Sequence, residues 1–177
     1  VNASFIPYVS SISEGTNLTD DQSKIKVGAD LKYTLTTALN LDATINPDFS
    51  QAEVDQQVTN LDRFELFFPE RRQFFLENAD LFSNFGYRTI RPFFSRRIGL
   101  NVPIVAGARL SGNLDENWRV GLMNIQTKAG ELMGLGAENY SVLSLQRKVQ
   151  ERSNINFLLV NKEAPNTDAS LSERFHR

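Results

Sequence analysis

Lys24-Ile25-Lys26-Val27-Gly28-Ala29-Asp30-Leu31-Lys32-Tyr33-Thr34-Leu35 is the stretch whose reading decides the fold. Ile25, Val27, Ala29, Leu31, Tyr33 and Leu35 alternate without a break with Lys24, Lys26, Gly28, Asp30, Lys32 and Thr34. A two-residue period sends successive side chains to opposite faces, so this is a strand with one apolar and one polar face. A helix would scatter the same apolar residues around its circumference.

The rhythm resumes directly. Leu39, Leu41, Ala43 and Ile45 alternate with Asn40, Asp42, Thr44 and Asn46. Only Thr36-Thr37 and Ala38 intervene, so the two runs form a tight antiparallel hairpin. Working outward, further strands are expected over Asn2–Ile12, Pro103–Ser111, Trp118–Thr127, Asn139–Val149 and Asn154–Lys162. Pro7 marks the first as an edge strand, because proline cannot donate to a ladder. Pro103–Ser111 places Ile104, Ala106, Ala108 and Leu110 on one face. Trp118, Val120 and Leu122 share a face that Met123 and Ile125 blur, and Leu143, Leu145 and Arg147 share another.

Most of these strands run nine to twelve residues, where a membrane-spanning strand needs ~9–11. Connections read as long (Ser13–Ser23), short (Thr36–Thr37), very long (Pro47–Val102), short (Gly112–Asn117), long (Lys128–Glu138) and short (Gln150–Ser153). Outer-membrane barrels alternate short inner turns with long outer loops in this way. The expectation is an all-β antiparallel meander, a partial transmembrane β-barrel with one long, partly helical insertion. The apolar side would then meet lipid, and Lys24, Lys26, Asp30 and Lys32 would line a wet lumen. A soluble sandwich with those lysines in bulk water shows the same alternation.

The break in character is 47–102, a long loop or lumenal insertion. Ser50 and Glu53 fit a capping box for a short helix from Gln51 to about Val58, and Asn60 can cap a second turn through Phe67, ended by Pro69. Phe67-Phe68, Phe74-Phe75 and Phe93-Phe94 alternate with Arg71-Arg72 and Arg96-Arg97. Phenylalanine buries large apolar area, and arginine pairs with carboxylates or stacks on rings. Glu65, Glu70, Glu77 and Asp80 are nearby partners. One reading is a compact mini-core tied by Arg–carboxylate pairs. The other is a basic, aromatic-lined constriction or binding surface carried by Arg71, Arg72, Arg96, Arg97, Phe68 and Phe75.

Composition removes other classes. The 177 residues hold no cysteine and one histidine, His176, which rules against disulfides, thiolate metal sites and a histidine-based triad. The net charge of −2 gives no pull toward nucleic acid. No run of ~18 apolar residues suggests a spanning helix. Asp48, Glu53 and Asp55 cluster, but nothing sets two carboxylates ~5–10 Å apart across a sugar, and their spacing fits no EF-hand. The glycines of 130–136 lack a phosphate-loop lysine and read as a loop. No cofactor, metal or catalytic residue is expected. The chain opens at Val1 without a leader and stops at Arg177 after a polar stretch, so it reads as a single fragment, 1–177, of a barrel domain.

The runs Asn46-Pro47-Asp48-Phe49-Ser50-Gln51-Ala52-Glu53-Val54-Asp55 and Asn60-Leu61-Asp62-Arg63-Phe64-Glu65-Leu66-Phe67-Phe68-Pro69-Glu70-Arg71-Arg72-Gln73-Phe74-Phe75-Leu76-Glu77, with Asp80-Leu81-Phe82, Phe94-Ser95-Arg96-Arg97-Ile98-Gly99 and Ala106-Gly107-Ala108-Arg109-Leu110-Ser111-Gly112, carry a family likeness. They resemble an uncharacterised family of bacterial outer-membrane-type β-barrel proteins. Ser50 and Gln73 depart from its common Gly and Pro. Full-length members usually carry an N-terminal carbohydrate-binding domain of the family-9 type. The resemblance implies a place in the outer membrane of a Gram-negative bacterium. Expected partners are outer-membrane lipid, the rest of the barrel and an oligosaccharide, and no nucleic acid. It implies solute passage or binding linked to glycan handling. The alternatives are a membrane anchor for a glycoside-acting hydrolase whose other domain lies elsewhere, and a soluble β-sandwich binding module.

Overall fold

A computed structural model describes residues 2–16, 19–47, 69–86, 91–99, 102–129 and 136–164. Seven strands form one antiparallel sheet in sequence order: β1 (Ala3–Thr16), β2 (Thr19–Thr36), β3 (Leu39–Ile45), β4 (Ile104–Asn113), β5 (Trp118–Thr127), β6 (Asn139–Gln150) and β7 (Ser153–Glu163). Each strand pairs with its neighbours in sequence, so the expected meander is present. The sheet is open, with β1 and β7 as its edges. Two short helices, α1 (Gln73–Leu76) and α2 (Asp80–Ser83), and a 3-10 turn at Ser95–Arg97 interrupt it between β3 and β4. The helices expected over 51–58 and 60–67 lie outside the described residues.

The period-two reading holds at the central strands. In register, Leu31, Ala43 and Ala108 share one face, while Lys32, Asp42 and Arg109 share the other. The two faces have opposite fates. Ile25 is 72% exposed and Val27 63%, and Phe5, Val9, Ile45, Leu122, Phe157 and Leu159 are also exposed on that apolar face. The opposite face, polar on β2 and β3 but carrying Ile104, Met123, Ile125 and Val142 farther along the sheet, is the covered one.

Three expectations need correction. The connection Ser13–Ser23 is not a long loop: β1 and β2 stay paired from Ser13↔Ser23 out to Thr16↔Thr19. The height expected of a loop is therefore built as hairpin, and the long/short alternation fails at the first connection. Ile104 does not share a face with Ala106, because a bulge falls between them. One extra residue reverses the side-chain alternation, and Ile104 joins the buried cluster. Met123 and Ile125 do not blur the outer face either; they point to the covered one, where both are buried.

The cover is the insertion. Phe75, Leu81, Phe82, Phe93 and Ile98 pack with Ile104, Met123, Ile125 and Val142 in one cluster. Two glycines make the close approach possible. A Cβ on Gly107 would meet the Phe74 ring at 3.2 Å, and one on Gly121 would meet the Phe82 ring at 2.7 Å. The insertion thus seats one ring from each side of residues 75–81 in a notch of bare backbone.

Candidate functional site

The residues that hold the insertion run in a strip, Glu77 to Leu81. Glu77 Oε1 accepts from Asn40 Nδ2 at 2.7 Å, and Oε2 pairs with Lys32 Nζ. Asn78 Nδ2 donates to Ser111 Oγ at 3.1 Å. Asp80 Oδ2 pairs with Arg119 Nη1 at 2.6 Å. The Leu81 carbonyl accepts from Ser144 Oγ. In chain order these contacts reach β2 and β3, then β4, then β5, then β6. Asn78 makes the step between α1 and α2 with φ 49°, a left-handed conformation that asparagine tolerates better than most residues.

Beneath the strip the sheet carries a buried pair. Arg109 is 1% exposed and donates through Nη2 to Asp42 Oδ2 at 2.7 Å. Among the described residues its buried Nε and Nη1 have no hydrogen-bond partner. The Phe74 ring lies 5.3 Å from its guanidinium, which supplies a cation–π contact. Asp30 accepts from Thr44 Oγ1 at 2.6 Å on the same face. The expected lumen-facing residues Asp30 and Lys32 are therefore both engaged there. Lys26 is exposed, and the side chain of Lys24 lies outside the described residues.

The six residues singled out in the sequence separate. Arg72 is buried and forms a two-point bond with Glu70, Nε–Oε1 at 2.9 Å and Nη2–Oε2 at 2.8 Å. It also donates to the carbonyls of Ile98 (2.6 Å) and Ser95 (2.7 Å) and lies 4.2 Å from the Phe75 ring centre. Arg72 and Phe75 thus join the start of α1 to 95–98, as the compact mini-core reading describes. Arg96 donates to the Pro69 carbonyl at 2.9 Å. Arg71 and Arg97 are exposed. Phe68 lies outside the described residues. Beside them is a cleft of about 390 Å³ lined by Phe75, Phe82, Phe93, Phe94, Glu70 and Arg91, among others. Among the described residues no group of three or more His, Asp and Glu side chains is placed to hold a metal.

Burial alone would raise the Glu70 carboxyl, but hydrogen bonds from Arg72 and Ser95 outweigh it and hold the group below its ordinary value of 4.5. A carboxyl that binds its proton less readily when folded stabilises the fold fully above about pH 4.5. That contribution is lost as pH falls through the folded value. Urea midpoints of the full-length protein are accordingly expected to drop below pH 4.5, with a shallower drop in Glu70→Gln. Equal pH slopes in the two proteins would contradict this assignment.

The anchors Glu77, Asn78 and Asp80 were only partly legible. Glu77 and Asp80 stood out as arginine partners, yet Glu77 pairs with Lys32 and only Asp80 takes an arginine, from β5. The signal was the row of polar residues at inward positions of successive strands (Lys32, Asn40, Ser111, Arg119, Ser144), which needs something polar facing it.

Neither the curated proteins nor the solved structures contain a match to this sequence. One family model matches, over residues 1–120. That span takes in β1 to β4, the whole insertion and the start of β5. The chain belongs to the family described as a domain of unknown function, DUF5916.

Proposed function

We propose that this chain is part of the wall of an outer-membrane β-barrel, with the insertion packed against the lumen side, and that it serves gated passage or binding of a solute. One observation carries the reading: the insertion covers the face of Lys32, Asp42, Arg109 and Met123 and leaves the face of Ile25, Val27, Leu122, Phe157 and Leu159 exposed. A water-soluble domain gains stability by covering such an exposed apolar face as well, since apolar area removed from water contributes ~25 cal/mol per Å². Hydrocarbon as the outer solvent makes the arrangement favourable. It also demands more chain. Ile155, Phe157, Leu159 and Val160 on edge strand β7 are all exposed. Unpaired backbone groups are costly in lipid, so β1 and β7 continue into the rest of the barrel. Single-chain bacterial barrels use even strand numbers from ~8 upward, and the seven described here are part of such a set.

In this reading the 77–81 strip fixes the insertion across the pore, and passage requires it to shift. The link to glycans is supported by the family resemblance alone: it implies that full-length members usually carry a carbohydrate-binding domain, which makes an oligosaccharide the solute class of choice. Glu77→Gln, Asn78→Ala and Asp80→Asn, combined in the full-length protein, are expected to raise conductance in planar bilayers severalfold. Unchanged conductance in a normally folded triple variant argues against the gate. Sugar release that ignores these substitutions favours an anchor for a glycoside-acting enzyme. A folded monomer soluble without detergent favours the sandwich module and ends the barrel reading.

A further inference from the structure

The register of the sheet carries a slope. Tyr33, Leu41, Leu110, Leu122, Leu143 and Leu159 form one continuous row across β2 to β7 on the apolar face. Within that row the partners flanking each tight turn are 8 residues apart at Tyr33↔Leu41, 12 at Leu110↔Leu122 and 16 at Leu143↔Leu159. The turns therefore lie 4, 6 and 8 residues beyond the row, halving each separation. They recede by one residue for every strand crossed. One residue is ~3.4 Å along a strand and one strand is ~4.8 Å across, so the line of turns slopes at roughly 35° to the register.

A second boundary, set by polarity rather than by turns, slopes in the same sense. On β2 the outer face stays apolar through Ala29 and Val27 to Ile25. On β5, β6 and β7 it becomes polar one position beyond the leucine row, at Asn124, Ser141 and Asn161, which face Ala108 and Leu31 along one row. Those polar groups bond to one another and to their neighbours: Asn124 Nδ2 donates to Ser141 Oγ at 2.8 Å and to Asn139 Oδ1 at 3.0 Å, and Asn161 Nδ2 to Glu163 Oε1 at 2.9 Å. Asn139 and Glu163 themselves share a row with Ala29 and Ile45. One register row is thus apolar at one side of the sheet and polar at the other.

We infer that the line of tight turns marks one surface of the bilayer and that the strands cross hydrocarbon at roughly 35°, within the ~35–45° of transmembrane barrels. The inference rests on the barrel reading and adds to it a partner surface and an orientation. A slab of hydrocarbon is flat, so on tilted strands its two boundaries must climb the register together, as these two do. Trp118, the first residue of β5, sits beside its turn, with the Arg147 guanidinium 5.2 Å from its ring. Barrels place aromatic girdles at that level.

The slope separates residues of one row by depth. Leu39 and Phe157 share a row through Gly112, Val120 and Leu145. Phe157 stands four residues further from its turn, which at this slope puts it about 11 Å deeper. The chain has no cysteine, so labels can be placed singly. In the full-length protein, in phosphatidylcholine vesicles brominated at a shallow or a deep acyl position, a fluorophore at Phe157→Cys is expected to be quenched best by the deep bromine. At Leu39→Cys it is expected to be quenched best by the shallow one. Equal depth at both overturns the slope and leaves the membrane contact standing. No lipid quenching at either overturns the barrel reading itself. Should either variant fail to fold, Ala29→Cys and Asn139→Cys test the same point: the first label answers to lipid, the second to an aqueous quencher, and like behaviour of the two refutes the slope.

Discussion

Gly112→Ala is expected to destabilise the folded protein by about 2–6 kcal/mol. Gly112 has φ 143°, a conformation that residues with a Cβ adopt at a cost of ~1–3 kcal/mol. The space is also occupied. A Cβ there would lie 2.0 Å from the Ala38 carbonyl oxygen and 2.9 Å from Leu39 Cα. These are backbone atoms and cannot swing aside as a side chain would. The Ala38 carbonyl accepts from the Asn113 backbone at 2.8 Å, so relieving the clash opens the β3–β4 ladder at the end of the β2–β3 turn. Overpacking of this kind costs ~1–3 kcal/mol in addition to the strain. Equilibrium unfolding of the full-length protein in urea reads it directly; a midpoint matching wild type would show that the approach of β4 to this turn is looser than described.

Asp42→Ala is expected to cost about 3–5 kcal/mol, because removing one partner of a buried ion pair strands the other charge. Arg109 is almost wholly buried, and among the described residues two of its nitrogens already have no acceptor. Glu77 also lies within electrostatic reach of Arg109, but it already holds Lys32 and Asn40. The double variant Asp42→Ala/Arg109→Met is expected to regain at least half of the loss, since an apolar pair of similar volume is often neutral or better. Losses that simply add would mean that the two residues do not depend on each other.

The sheet was legible because period two is a local signal. Lys24–Leu35 and Leu39–Ile45 obey it, and their hairpin and register follow. Where the reading failed, one local departure was responsible each time. The bulge beside Ile104 moved that side chain to the other face, and no residue type announces a bulge of that kind. The stretch from Ser13 to Ser23 is polar enough to pass for a loop, while β1 and β2 stay paired out to Thr16↔Thr19. The insertion was legible as a break in pattern, and a mini-core tied by Arg–carboxylate pairs was one of its two readings, although the sequence did not pair Arg72 with Glu70. Its docking was not, because the facing row is spread over five strands that are far apart in sequence. Met123 and Ile125 occupy inward positions of β5, and it is Phe82 and Phe93, distant in sequence, that pack with them. Family membership was visible in the motif from Asn46 to Phe82, whereas the activity of that family is not written in any residue type found here.

The central claim is that the side chains at odd positions of β2 face hydrocarbon and those at even positions face the interior. Single cysteines at each position from Lys26 to Tyr33 in the full-length, vesicle-reconstituted protein test it most directly. The account predicts strong quenching by lipid bromines at 27, 29, 31 and 33 and little at 26, 28, 30 and 32. A flat profile along the strand, or odd positions that answer only to a water-soluble quencher, would contradict it.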